Sequence, residues 1–276
     1  MPGLMDFFAG RGCHGALVLG TTGEGPSFSP KERLDLMRAA IEIHNSRPTF
    51  HLLAGTGTPS LEESIDLTRA AFDLGYDAVV VLPPYYYRKA SEDGLFEWFS
   101  NVMERAVPAD GRLIAYHIPP FSGVPISIQL LARLKDRFAE RFAGVKDSSA
   151  DANHAQRLGE YFGNDLLILN GNDSLFSLAL RSNASGCITA LATLCSPLLR
   201  QVWDLYLAGE SDAKLQSNLN SFREIMDSSP PIPAFVKEIL AHEHHFPKWT
   251  VRPPLLPLPM QTVDHALQAW DQLRNV

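Results

Sequence analysis

At 276 residues with 45% hydrophobic side chains, the chain suits one large α/β domain or two modest ones, with ample material for a core. A formal charge of −7, with acidic and basic residues interspersed and no arginine-rich tract, argues against nucleic acid as a partner. Cys13, Cys187 and Cys195 form no CxxC pair, no stretch nears the roughly 18–20 apolar residues that span a bilayer, and the first residues lack a signal-peptide core, so a cytoplasmic protein with reduced thiols is expected.

In chain order, residues 4–11 carry a helical pattern. Seven short apolar runs follow: 16–20 (ALVLG), 50–54 (FHLLA), 78–82 (AVVVL), 113–117 (LIAYH), 142–146 (FAGVK), 166–169 (LLIL) and 187–191 (CITAL). They are nearly continuous in apolar character, as in parallel strands buried on both faces. Amphipathic segments separate them. Ser29-Pro30-Lys31-Glu32 is a capping box with proline at the first helical position, and its helix is expected to reach about Asn45. Thr58-Pro59 is expected to open the next helix and Gly75 to close it. Ser127 and Asp151 are further expected caps, with Gly163-Asn164 ending the helix that Asp151 starts.

Seven β/α units in series fit a (β/α)8 barrel or a doubly wound sheet. The turns Gly20-Thr21-Thr22-Gly23-Glu24-Gly25 and Gly55-Thr56-Gly57-Thr58 carry neither a GxGxxG fingerprint nor a P-loop lysine, which favours the barrel, one strand short. From about Ser196 the pattern becomes helical without strands, at 197–208, 212–226, 233–243 and 262–273, punctuated by proline-rich connectors at 230–233 and 252–257. The expected organisation is a barrel over 1–200 and a C-terminal helical region over 201–276.

Active sites of barrels lie at the C-terminal ends of the strands. The fifth run ends in Lys146. A buried ammonium needs an ion-pair partner or must give up its proton, and a neutral lysine can condense with a ketone. Around it fall Thr21 and Thr22, the tyrosines 85–87, Tyr116 with His117, the Asn170-Gly171-Asn172-Asp173 turn and Thr189. Each has a plain structural reading: turn residues, a surface aromatic cluster, a core tyrosine with a satisfied hydroxyl. Their joint arrival at one rim fits imine chemistry better. A lysine attacking a ketone needs a phenol to shuttle protons, for which Tyr116 is the candidate. A 2-keto acid needs its carboxylate held by N–H groups and hydroxyls of a tight turn, for which Thr21 and Thr22 are the candidates.

Together, GTTGE at 20–24, AGTG at 54–57, PYY at 84–86, YHIPPFSG at 116–123, GVKDSS at 144–149, NGND at 170–173 and GCIT at 186–189 resemble the dihydrodipicolinate synthase / N-acetylneuraminate lyase family of pyruvate-dependent class I aldolases. The resemblance runs from about residue 4 to about residue 200, and the helical tail looks like the family's own. It implies that Lys146 is the Schiff-base lysine and Tyr116 the proton relay. Thr21 and Thr22 would bind the keto-acid carboxylate, Thr22 also joining the relay. Gly186 and Ile188 would line the pocket, and Tyr86 would reach a neighbouring subunit's site. It also implies a homotetramer of tight dimers, no metal and no organic cofactor.

Three departures matter. Phe121 stands where dihydrodipicolinate-forming members carry an arginine for the second substrate's carboxylate, and it makes no bidentate contact. Thr193 and Tyr87 each replace a common asparagine, with no consequence assigned. The family's usual first strand with its Thr-Pro segment has no counterpart, which would leave two sheet edges unpaired, and a misassigned start is the favoured explanation. The cluster His242-Glu243-His244-His245 lacks metal-ligand spacing and is expected to be a solvated helix end, and His117 is expected to tune the rim. The expected function is a lyase joining or parting a C–C bond to pyruvate, on a 2-keto-3-deoxy sugar acid or 4-hydroxy-2-keto acid. Dihydrodipicolinate synthesis, dehydratase or deaminase chemistry through the same imine, and a non-catalytic keto-acid-binding role are the alternatives.

Overall fold

A computed structural model describes residues 2–274. Seven parallel strands follow one another in sequence order: β1 (Gly15–Val18), β2 (His51–Gly55), β3 (Ala78–Val81), β4 (Leu113–His117), β5 (Phe142–Asp147), β6 (Leu167–Asn170) and β7 (Gly186–Cys187). Helices alternate with them: α1 (Pro2–Gly10), α2 (Pro30–Ile41), α3 (Leu61–Asp73), α4 (Glu92–Ala106), the short α5 (Pro119–Ser122), α6 (Ile128–Phe138), α7 (Ala152–Phe162) and α8 (Phe176–Arg181). The curled parallel sheet with its outer helices is that of a (β/α)8 barrel. Among the described residues, β1 and β7 are its two edges.

Most helix starts follow the sequence signals. Ser29 and Glu32 form the reciprocal capping box, Ser127 accepts from the N–H of Leu130, and Asp151 accepts from Asn153 and His154. The opening of α3 differs. Thr58 turns its hydroxyl onto Ser60, and Ser60 serves as the cap by accepting from Glu63. The last strand is also shorter than its apolar run. After Ile188 donates to the Asn170 carbonyl at 2.9 Å, the chain leaves the sheet and the Thr189 hydroxyl accepts from Ala192 at 3.2 Å, opening a helical turn that kinks at Cys195 (φ −111°, ψ 27°) before the expected helix around Pro197, the two together forming α9 (Ala192–Ala208).

The register between β4 and β5 contains a shift. Leu113 pairs with Phe142, but Ile114 pairs with Gly144, so Ala143 is an extra residue on β5. Side chains alternate across a strand, so a one-residue slip exchanges faces. Continued without the shift, the pairing would set Lys146 opposite His117, on the face that packs against the helices. With it, Lys146 pairs with Tyr116 and faces the barrel interior, while Asp147 pairs with His117 behind them. Gly144 sits next to the shift. A Cβ there would lie 2.1 Å from the Leu167 carbonyl oxygen on β6, so only glycine allows the two strands this approach.

Three apolar clusters organise the molecule. The largest lies between the sheet and its helices, with Met37, Ile65, Phe99, Leu131, Phe142 and Val145 at its centre. A small one fills the barrel with Ala78, Val80, Ile114 and Tyr116. The third joins α8 and α9 to α10 (Ala213–Asp227), α11 (Ile232–His244) and α12 (Met260–Arg274), around Phe235 and Trp270. The histidine-rich end of α11 is less solvated than expected. The side chains of Glu243 and His244 are each only 13% exposed. Glu243 accepts from the Trp270 indole at 2.7 Å and pairs with Arg274, while His242 meets Asp271 at 3.1 Å. These side chains dock α12 and do not converge on a shared point.

Gly144→Ala is expected to destabilise the fold by about 1–3 kcal/mol, the range of an overpacked core site, with a lowered urea midpoint and an unchanged slope.

Candidate active site

Tyr116 and Lys146 come from neighbouring strands, and both are 5% exposed. The Lys146 Nζ lies 3.7 Å from the centre of the Tyr116 ring and donates to the Ser148 hydroxyl at 2.8 Å. Among the described residues no carboxylate is paired with it. The Tyr116 hydroxyl shares a 3.1 Å hydrogen bond with the Thr21 hydroxyl. Thr21 belongs to the tight turn after β1, where Leu19 and Glu24 adopt left-handed conformations with φ of 63° and 56°. That turn is closed by Glu24 N–H donating to the Thr21 carbonyl and Gly25 N–H to the Gly20 carbonyl, each at 3.1 Å. A Cβ on Gly25 would meet the Leu19 carbonyl oxygen at 2.0 Å, so the turn closes this tightly only around glycine.

These groups open onto a cavity of about 1840 Å³ that runs along the interior and between β1 and β7. Thr21, Thr22, Tyr116, Phe121, Lys146, Gly186 and Ile188 all line it. Phe121 stands at the mouth on α5, 65% exposed. Tyr86 is not among the lining residues; it is 76% exposed and packs edge-on against Tyr87 at 5.3 Å.

Burial by itself pushes the Tyr116 phenol up. The charge on Lys146 and hydrogen bonds from Lys146, Thr21 and Ser148 outweigh it, leaving the phenol below its ordinary value. An amine, a phenol of lowered pKa and two hydroxyls in hydrogen-bond reach form a set that can condense with a carbonyl and move the protons this requires.

Two residues of the site carry roles that motif reading does not assign. Ser148 is the lysine's partner, and its hydroxyl fits because Gly171 has no Cβ, which would lie 1.9 Å away. A hydroxyl two positions beyond a lysine at a strand end was the available signal. Glu24, 4% exposed, accepts from Lys237 on α11 and from the Arg252 N–H at 2.8 Å, tying the C-terminal helices to the turn that carries Thr21.

Behind the lysine, His117, Asp147 and His154 bring candidate ligand atoms within 4.8 Å of one another. The chemistry of the set does not fit a metal. The His117 Nδ1 accepts the Ile126 N–H at 3.0 Å, so the neutral ring carries its proton on Nε2, the nitrogen left to face a cation. Burial pushes this imidazole down to about 4; Asp147 opposes that shift and His154 adds to it.

The description "Dihydrodipicolinate synthetase family" covers a family model that matches residues 1–271. The chain belongs to this family. A protein of Chloroflexus aurantiacus described as an uncharacterized DapA-like lyase is 38% identical over 273 residues, 99% of this chain and 89% of its own length. A 4-hydroxy-tetrahydrodipicolinate synthase structure from Methylacidiphilum fumariolicum SolV superposes with a TM-score of 0.90 at 28% identity, covering 99% of this chain and 89% of that one. The fold is also that of YagE, a dihydrodipicolinic acid synthase family protein from E. coli K12 in complex with pyruvate, with a TM-score of 0.92 at 23% identity over 99% and 91% of the two chains. The chain is thus a lyase of the dihydrodipicolinate synthetase family on a (β/α)8 barrel scaffold. No described helix is long and apolar enough to cross a membrane.

Tyr116→Phe is expected to lower kcat by about 10²–10⁴-fold, the usual share of a positioned acid–base group. The native enzyme should lose activity as pH rises through the lowered phenol pKa, and the variant should lack that alkaline limb. Lys237→Met, which leaves the Glu24 carboxylate with the Arg252 N–H alone, should cost about 1–3 kcal/mol of stability in denaturant titration.

Proposed function

We propose that the enzyme is a class I, Schiff-base aldolase acting on pyruvate or a larger 2-keto acid. The observation that carries this reading is the Lys146 amine, buried against the Tyr116 ring at 3.7 Å and bonded to a neutral hydroxyl. The amine adds to the C2 carbonyl, and the carbinolamine loses water through Tyr116, with a threonine hydroxyl relaying the proton. Thr21 and Thr22 hold the carboxylate at the turn after β1. Loss of a C3 proton gives an enamine, which adds to an aldehyde; the reverse sequence releases one. No metal or organic cofactor enters these steps. The pyruvate-bound YagE shares the fold, which supports the choice of keto acid.

For the second substrate, the apolar Phe121 at the mouth favours a 2-keto-3-deoxy sugar acid or a 4-hydroxy-2-keto acid over a partner with a distal carboxylate. The second reading is 4-hydroxy-tetrahydrodipicolinate synthesis. A relative from Prochlorococcus marinus bearing that name is 30% identical over 258 residues, 92% of this chain and 81% of its own length, which favours it. Exposed Tyr86 and Tyr87 support burial of this edge in a homotetramer, where Tyr86 would enter a neighbouring chain's site. Three free cysteines support a cytoplasmic, reducing location.

Borohydride reduction in the presence of pyruvate should add the mass of reduced pyruvate to the peptide containing Lys146, and Lys146→Ala should abolish it. Absence of label on the native enzyme would overturn the mechanism. Label without turnover on any keto acid or aldehyde would leave a keto-acid-binding protein. Condensation with aspartate semialdehyde outpacing neutral aldehydes would reverse the substrate order.

A further inference from the structure

His117 follows Tyr116 on β4, and its side chain points the other way, into the layer between the sheet and α7. Several contacts meet on this residue. The ring Nδ1 accepts the N–H of Ile126 at 3.0 Å. The ring face lies on that of His154, with centroids 4.7 Å apart and planes at 34°. The backbone carbonyl accepts the N–H of Ser148 at 2.8 Å, and Ser148 is the residue whose hydroxyl takes the hydrogen bond from Lys146.

Ile126 closes the mouth segment 118–126, which carries Phe121. That segment is self-contained. The Ser122 hydroxyl lies 3.1 Å from both the Ile118 and Val124 carbonyls, which share its one proton, and accepts the Val124 N–H at 3.1 Å, while Gly123 turns the chain at φ +66°. Its polar groups are largely satisfied internally, so apart from the apolar packing of Ile118 and Val124 its attachment falls to its ends. One end is the strand itself. At the other, Ser127 caps α6 and the Ile126 N–H docks on the His117 ring. Ile126 is 1% exposed, so an unpaired N–H there would be costly.

We propose that His117 is a positioning residue for the lyase reaction, its ring nitrogen holding the mouth segment and its carbonyl holding Ser148 against Lys146, so that mouth and amine are braced through one residue. This rests on the reading of Lys146 as the imine-forming amine. The brace needs Nδ1 as an acceptor, so it works with a ring protonated on Nε2 alone. An asparagine can present its side-chain oxygen to the same N–H; a phenylalanine cannot.

The test uses pyruvate alone, following exchange of its methyl hydrogens for deuterium, which reports enamine formation without any aldehyde. His117→Phe is expected to slow turnover of this exchange by about 10–100-fold while the half-saturating pyruvate concentration stays within about two-fold, the pattern of lost alignment in the transition state. Borohydride should still label Lys146 in this variant. His117→Asn should bring turnover back to within about three-fold of the native enzyme, because the acceptor is restored. Unchanged turnover in His117→Phe, or an asparagine variant as slow as the phenylalanine one, would overturn the proposal. Should His117→Phe fail to fold, nitrogen NMR of the native ring at neutral pH decides. A proton on Nε2 with Nδ1 as acceptor supports the brace, and a proton on Nδ1 overturns it. Failure of the native enzyme to label at Lys146 would instead remove the imine reading, a result distinct from these.

Discussion

The extra residue on β5 governs everything at the mouth of this barrel. Parallel strands keep their neighbours in step, and each step reverses the face that a side chain occupies. Ala143 breaks the step once, so that Lys146 lies beside Tyr116 inside the barrel while Asp147 and His117 face the helices. Two kinds of chemistry are thereby sorted onto two sides of the same pair of strands. The amine, phenol and hydroxyls face the cavity; the imidazoles and the carboxylate stay in the supporting layer. Gly144 makes the irregularity possible, since β6 passes too close for any Cβ.

Opposing effects act on the phenol of the interior set, and the polar ones prevail. Burial disfavours a charged phenol at Tyr116, yet the charge on Lys146 and hydrogen bonds from Lys146, Thr21 and Ser148 outweigh it. The lysine has a hydroxyl as its hydrogen-bond partner, and a hydroxyl can release it, whereas a carboxylate would hold the proton in place. The nitrogen is thus held by the Ser148 hydroxyl and the Tyr116 side chain.

Much of this was legible in the sequence, in places where a local signal has a single physical meaning. Ser29, Ser127 and Asp151 cap helices because short polar side chains before amphipathic runs have few other uses. The continuous apolar runs marked parallel strands, and their polar ends marked the rim. Thr21, Thr22, Tyr116, Phe121, Lys146, Gly186 and Ile188 line one cavity, and Tyr86 lies outside it. The misreadings arose where two local signals competed. Thr58 and Ser60 both offer cap hydroxyls, and the contest is settled by Ser64 bonding Thr58. The apolar run at 187–191 looked like a full strand, but Thr189 folds it into a helix start. The register shift leaves only Gly144 as its trace, and a lone glycine in a strand does not say which neighbour comes close. Contacts between distant segments, such as Glu24 with Lys237 or Glu243 with Trp270, leave no local trace.

The bond between Glu24 and the C-terminal helices changes how the tail should be regarded. One end of the turn that carries Thr21 and Thr22 is anchored in the barrel through β1, and the other is gripped by Lys237 and the Arg252 backbone. Altered packing of α11 would therefore reach Thr21 as a small tilt of the turn, with no barrel residue replaced. Drift in the tail thus offers evolution a tuning screw for the shape of this rim, one that leaves the lysine and its phenol untouched.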